Sequence, residues 1–368
     1  MSGSPAILTT MEKATKRLPQ YRQVGHSTLP RFVLTDREIA ILATIAEYRI
    51  ADSDHIATLL AHRWSEATTR RRLQLLHHAR FIRRVASQIK YRTTPGSPPM
   101  AYQLDVRAVE LRKYPGRFGV PGELVELMPP GPYPWVTKSP NVAVDFLEHT
   151  LFTTDIMATL EIACRAAGNV RLIKERELVE SIIPEATRAQ AKPFRWPVTV
   201  RWQGSSVRSY VEPDQAFGLE FTDEPPPNRA WFFLETDTGT ETVVPESQTL
   251  KRSSFLQKAA RYYGTWQQKL HTERFGFRNF RVLTVTTTPT LLQPRVKKEL
   301  RREGQVDAKT RSKMERRIGL LLEAQKLVTE GRGSGLFLFT DLPSLLVADD
   351  VLSMPWMSGT GKTVRLTD

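Results

Sequence analysis

Residues 231–237 read Trp-Phe-Phe-Leu-Glu-Thr-Asp, and upstream of them stands Val211-Glu212-Pro213-Asp214. Side chains alternate along a strand with period two, so Glu235 and Asp237 share one face while Phe232 and Leu234 take the other. Asp214 ends or bulges from a preceding strand over 207–212, and a neighbouring strand can bring its carboxylate beside that of Glu235. Two carboxylates so placed suit Mg²⁺ or Mn²⁺, with oxygen ligands at about 2.1 Å. Such an ion polarises a scissile phosphate and lowers the pKa of an attacking water. The plainer alternative makes Asp214 a turn residue after proline and Glu235 and Asp237 a solvent-facing pair on an edge strand.

Outward from this stretch, periodicity predicts a helix over 142–167 and strands over 170–174, 198–202, 207–212 and 231–237. A helix over 253–270, a strand over 280–286, a basic helical stretch over 312–329 and a strand over 335–340 follow. Strands come first as hairpins and later alternate with helices, which predicts an α+β fold with a mixed sheet flanked by helices.

The N-terminal third has a different character. Thr35 with Glu38 forms a capping box ahead of a helix whose stripe is Ile39, Leu42, Ile45 and Ala46. A second helix over 51–61 is capped by Asp52 or Ser53 and buries Ile56, Leu59 and Leu60. Ser65 opens a third, with Thr69, Leu73 and Leu76 spaced for burial. Two strands, over 81–86 and 90–104, complete the pattern of a winged helix-turn-helix. Its third helix carries Arg70, Arg71 and Arg72, and its hairpin Arg83, Arg84, Lys90 and Arg92, cations suited to the phosphates of double-stranded DNA. A charge run is also what a solvated helix face carries. His77 and His78 close that helix, where imidazole favours the negative end of the helix dipole.

Composition supports the division. The 368 residues hold 53 Lys and Arg against 39 Asp and Glu, a formal charge of +14. Residues 1–120 alone hold 20 against 9, so the excess that points to a phosphate-bearing partner sits at the N-terminal end. Residues 295–326 form a second basic stretch, read as a further nucleic-acid surface or a soluble helix. Prolines 115, 121, 129, 130, 132, 134 and 140 predict an extended connection. The expected layout is a basic arm (1–30), a winged helix (31–112), a Pro-rich linker (113–140), a catalytic-type domain (141–345) and a tail (346–368).

A single cysteine, Cys164, forms no intramolecular disulfide and reads as core packing, which suits the reducing cytoplasm. No run is long and apolar enough for a membrane span. Ser358-Gly359-Thr360-Gly361-Lys362-Thr363 lacks the first glycine of a P-loop, and the glycines at 331, 333 and 335 lack dinucleotide spacing and suit a flexible turn.

At Pro213-Asp214 and Glu235-x-Asp237, with a helix and strand beyond, the chain resembles the PD-(D/E)xK nuclease fold. It is also similar to the plasmid replication-relaxation family. The carriers are the N-terminal helix pattern, the histidine helix (Leu147-Glu148-His149-Thr150-Leu151, then Asp155), Glu235-x-Asp237-x-Gly239-Thr240, and Lys258 near Tyr262. The resemblance spans roughly residues 34–290. It implies a Mg²⁺-dependent DNA endonuclease in which Asp214 and Glu235 hold metal, Asp237 assists, Lys258 stabilises charge and His149 belongs to the site. One departure stands out: Asp237 occupies the place of the nuclease lysine, which Lys258 would have to supply from the following helix. The competing expectation is a non-catalytic replication-relaxation accessory factor with a degenerate docking domain. A third is a subunit of a plasmid, mobile-element or defence assembly whose cleavage needs a protein partner. A homodimer suits double-strand cutting, though no heptad encodes one, and a bacterial chain of this kind would be nucleoid or plasmid associated.

Overall fold

In the computed structural model, which describes residues 33–91, 99–129, 133, 136, 142–226, 228–247, 250 and 253–367, the chain begins with helices α1 (Asp36–Tyr48), α2 (Ser53–Leu60) and α3 (Glu66–His78). The expected basic arm lies outside the described residues. The N-terminal caps act as anticipated: Glu38 accepts from the backbone and hydroxyl of Thr35 at 2.9 and 2.6 Å. Asp52 accepts from the backbone of Asp54 and His55 at 2.9 and 2.8 Å, satisfying donors that the first helical turn leaves open. Thr69, Leu73 and Leu76 are buried as their spacing requires.

Strands β1 (Ala51–Asp52), β2 (Ile82–Arg84) and β3 (Ala101–Leu104) form an antiparallel sheet in the order β1-β3-β2. Of the strand expected over 90–104, the last four residues form β3, residues 90 and 91 belong instead to a 3₁₀ helix over 86–91, and 92–98 lie outside the described residues. Gln88 is the physical reason: its side chain donates to the carbonyls of Val85 and Ala101 and accepts from the Ala101 N–H. Arg92 lies outside the described residues, and Lys90 is described only as backbone of the 3₁₀ helix.

His77 and His78 stand in the last turn of α3 and are buried, at 3% and 1% exposure. Burial, then the neighbouring Arg84 and His78, pushes the His77 imidazole down to about 4.

The described residues of the stretch expected as an extended linker fold onto the first core. Helix α4 (Val106–Lys113), a 3₁₀ turn at Pro115–Phe118 and a short helix at Gly122–Val125 carry the chain. Val120, Val125, Met128, Tyr133 and Val136 are buried with Ile39, Leu42 and Leu73. Proline breaks helix interiors but is tolerated in first turns, and the apolar residues between the prolines supply the burial.

Next come α5 (Val144–Ala167), β4 (Val170–Ile173), β5 (Trp196–Trp202), β6 (Ser205–Val211), β7 (Gln215–Phe221), β8 (Arg229–Asp237), α6 (Phe255–Gln267) and α7 (Leu270–Phe275). They are followed by β9 (Arg281–Thr286), α8 (Pro294–Glu303), α9 (Ala308–Val328), β10 (Phe337–Asp341), α10 (Leu342–Val347), β11 (Trp356–Ser358) and β12 (Thr363–Val364). Seven strands form one mixed sheet in the order β12-β11-β10-β9-β8-β7-β4. Strands β8, β9 and β10 are parallel, and the remaining neighbours are antiparallel. The α+β class with a mixed sheet and flanking helices is therefore the observed one.

Each face of this sheet has its own core. Phe233, Phe337 and Phe339 pack under α6 and α9, while Phe217, Phe232, Leu234 and Leu338 pack with Phe152 and Leu160 of α5. Two expectations change here. The strand over 207–212 pairs with β5 in a separate two-stranded sheet, and the neighbour of β8 is β7, which the sequence reading missed. Gly218 interrupts the apolar pattern of β7 because the Trp231 ring lies over it: a Cβ there would sit 2.7 Å from that ring.

The expected tail also returns to the sheet, as β11 and β12 with Trp356 fully buried. The P-loop-like stretch is the turn between them. It packs on the glycine segment near 333, where a Cβ would lie 2.3 Å from the Gly359 carbonyl oxygen, so this glycine serves close backbone approach. Cys164 is buried in the core beneath α5, and burial pushes its thiol up to about 12. Among the described residues no helix is long and apolar enough to cross a membrane.

Candidate functional site

Antiparallel pairing sets Gln215 opposite Leu234, which brings Asp214 across from Glu235 at the carboxyl end of β8. Asp214 Oδ2 accepts from the backbone N–H and the hydroxyl of Thr236, both at 2.7 Å. With that hydroxyl proton committed, His149 Nε2 donates to Thr236 Oγ1 at 2.9 Å and lies 3.3 Å from Asp214 Oδ1. On the other face of the sheet, Tyr262 donates to Glu235 Oε1 at 2.6 Å. Lys258 Nζ lies 3.1 Å from Glu235 Oε2 and 3.2 Å from Glu241. Helix α6 therefore points Lys258 into the acid pair. The four residues Asp214, Glu235, Lys258 and His149 singled out in the sequence come together, and Tyr262, Thr236 and Glu241 join them.

Charge balance explains why three acids tolerate one strand end. Asp237 is held by Arg317 of α9 through paired contacts of 2.8 and 2.7 Å, and by the Thr286 hydroxyl at 2.7 Å. Arg317 engages both of its oxygens, so the Asp237 charge is balanced from the α9 side. Sequence reading missed Arg317 because nothing local signals a contact made 80 residues away. The turn after Asp237 is tight: Gly239 adopts φ +76°, and a Cβ there would sit 2.6 Å from the Thr287 carbonyl oxygen.

The electrostatics follow from the same contacts. Burial pushes the Glu235 carboxyl upward; Lys258 offsets part of this and the Asp214 charge adds to it, leaving Glu235 above the ordinary carboxylate range. Burial would also raise Asp214, but His149 and Lys258 hold it below its ordinary value. For Lys258, burial disfavours the cation, and Glu235, Glu241 and Asp214 more than reverse this. The hydrogen bond to Asp214 raises His149, partly countered by burial. The contribution of His149 to stability is then fully present below its unfolded-state value of about 6.5 and is lost as pH rises through the raised folded value. An NMR titration should find the His149 imidazole titrating above free histidine in the wild type. In Asp214→Ala that elevation should collapse, and an unchanged titration would break the pairing argument.

The arginines assigned to DNA separate into two groups. Arg70 is paired with Asp54 at 2.6 Å and Glu66 at 3.2 Å. Arg72 holds the buried Glu38, and Arg83 donates to the Val136 carbonyl at 2.8 Å. Arg84 lies 5.9 Å from the Tyr102 ring. Arg71 is exposed and has no ion pair among the described residues.

Together these features define an α+β protein whose mixed sheet presents, at the carboxyl end of β8, an acid pair balanced by a histidine and a lysine. The chain matches the family model described as replication-relaxation over residues 42–279, and it belongs to that family. No curated protein and no solved structure shows a significant match to it.

Proposed function

We propose that this is a DNA-binding protein serving replication of a plasmid or mobile element, with a winged helix at its N-terminal end and a PD-(D/E)xK-type nuclease site at Asp214 and Glu235. The observation that carries the reading is Lys258: it approaches Glu235 from α6, supplying the cation that Asp237 cannot. The order of elements agrees, with α5, the antiparallel strands β4, β7 and β8, then α6 and the parallel strand β9. For the N-terminal part, three helices with a small antiparallel sheet and an outward Arg71 support the winged-helix reading. The family name itself points to replication.

The donor set fits a hard divalent cation. Asp214 and Glu235 offer carboxylate oxygens, and Mg²⁺ commonly takes one or two carboxylates and completes its shell with water and substrate phosphate. Among the described residues no three His, Cys, Asp or Glu side chains form a metal-holding group, so the remaining ligands would come from those sources. When bound, the ion would supply Lewis-acid polarisation of the phosphate and a more acidic water. The protein's own contribution is orientation: Thr236 and His149 fix Asp214, Tyr262 fixes Glu235, and the Lys258 ammonium stabilises negative charge developing beside it.

The competing reading, a docking domain without catalysis, draws on the same closed network, because every carboxylate at this strand end already has a partner. Incubating supercoiled plasmid with the protein and Mg²⁺ or Mn²⁺ separates the two. Nicking that disappears in Asp214→Ala and Glu235→Ala supports the nuclease, whereas intact DNA binding without cleavage supports docking.

The arginines make a separate prediction. Arg71→Ala should leave stability within about 0.5 kcal/mol while reducing the salt dependence of duplex binding by about one unit of slope. Arg72→Ala should instead cost about 1.5–3 kcal/mol, because the 1%-exposed Glu38 loses its cation. Urea unfolding and binding titrations read the two effects independently.

A further inference from the structure

The helices between β9 and β10 carry cations that the fold itself does not use. On α9, Lys309, Lys313 and Arg316 are all exposed and follow one another at spacings of four and three residues, one stripe of a helix. On α8, Arg295, Lys298 and Arg302 follow one another at three and four residues, again one stripe, and are exposed too. Apart from contacts of Arg302 with Glu299 and Glu303 at 3.8 and 3.5 Å, these cations form no ion pair among the described residues. Both helices are anchored away from these stripes: Lys297, on the opposite side of α8, reaches the buried Asp155 of α5 at 2.5 Å, and Arg317, on the flank of the α9 stripe, reaches Asp237.

Position gives the stripe its meaning. Strands β8 and β9 run parallel, and the chain leaves β9 at the end where β8 finishes in Asp237. Helices α8 and α9 then return it to the parallel strand β10. The Arg317 contact holds the first half of α9 at the sheet end that carries Asp214, Glu235 and Lys258, and Arg316 and Lys313 border it. Ligands of open sheets that contain parallel strands gather outside the carboxyl ends of those strands.

We infer that the exposed cation stripes of α8 and α9 form a second duplex-DNA contact surface, separate from the N-terminal helices, that holds the phosphate backbone across the acid site. This deepens the DNA reading above and rests on it. The surface recognises phosphates and not bases: the stripe consists of cations at one-turn spacing, with no amide among them to read a base edge. It predicts a chain that grips one duplex at two places.

The test measures binding of a fluorescently labelled duplex of arbitrary sequence to the full chain, by anisotropy, in EDTA and over a range of KCl concentrations. EDTA makes the result independent of cleavage. The variant Lys309→Gln/Lys313→Gln/Arg316→Gln should bind at least about tenfold more weakly at low salt. Its slope of log affinity against log salt should be shallower by about 2–3, since each phosphate contact contributes about 0.9. The charge-preserving variant Lys309→Arg/Lys313→Arg/Arg316→Lys should keep the wild-type slope, and both should melt at the wild-type temperature. A neutralised variant with unchanged affinity and slope overturns the second surface, and if Arg71→Ala weakens binding in the same series, the DNA reading itself survives. Wild-type protein that fails to bind duplex at low salt overturns both.

Discussion

Replacing Asp155 by Asn should lower the unfolding free energy by about 3–5 kcal/mol. Asp155 is 2% exposed on α5, where its carboxylate meets His55 Nε2 at 2.9 Å and Lys297 Nζ at 2.5 Å, with Arg301 at 3.7 Å. These three partners come from two different helices, α2 of the N-terminal part and α8 between β9 and β10. The carboxylate therefore fastens the N-terminal helices and the α8 segment to α5 at one point. Asn keeps the volume but not the charge, leaving Lys297, 7% exposed, as an uncompensated buried cation, and that desolvation makes the cost large. Around the same joint, Thr154 donates to the Ile50 carbonyl at 3.0 Å and Tyr48 donates to Glu161.

The loss should depend on pH in a defined direction. Burial alone would raise Asp155, but Lys297 and His55 hold it well below its ordinary range. Its contribution is present above the unfolded value of about 3.9 and fades as pH falls below that. For His55, burial lowers the imidazole, and Asp52 and Asp155 more than reverse it, so the folded value is raised. The His55 part is therefore complete below about 6.5 and disappears as pH rises through the folded value. Urea unfolding of wild type and variant should differ most between those limits. A difference under about 1 kcal/mol near pH 6 would mean that the network does not join the two parts of the chain.

The second large effect concerns Lys258. If the acid pair hydrolyses phosphodiesters, Lys258→Met should reduce single-turnover cleavage of plasmid by about 10²–10³-fold while duplex affinity changes little. Methionine retains most of the aliphatic stem, so α6 keeps its packing while Glu235 loses the cation 3.1 Å from its Oε2. Lys258→Arg retains charge with a different donor geometry and should recover part of the activity. Full activity in Lys258→Met would remove the lysine from the mechanism. The Asp214→Ala and Glu235→Ala proteins should be inactive in the same assay, and if the wild type binds DNA without cutting it, the docking reading takes its place.

Much of this arrangement could be read from the chain. The capping box at Thr35 and Glu38, the Asp52 cap and the buried stripe of α3 are local features, set by hydrogen bonds three residues long and by helical period. The facial split of β8 is equally local, because strand geometry alternates side chains whatever the neighbours are. Other features were hidden for definite reasons. Gly218 masks β7 because its need arises from a ring on the adjacent strand. The proline-rich stretch reads as a linker because proline content describes backbone freedom and not whether the intervening apolar residues, such as Val125 and Met128, find a core. Gln88 holds a 3₁₀ helix over 86–91 through hydrogen bonds to Val85 and Ala101 that no period encodes.

By itself, the sequence determined the α+β class, the helix caps, the basic N-terminal third and the candidates Asp214 and Glu235, all of which follow from periodicity, composition and motif, while Lys258 and His149 were marked by the family resemblance. Tertiary structure alone decided which acid meets which cation. Those pairings join β8 to α5, α6 and α9, and depend on strand order and register. That is why Asp237 belongs to Arg317, why Arg72 serves Glu38, and why the acid pair at the end of β8 is closed by a lysine from the next helix.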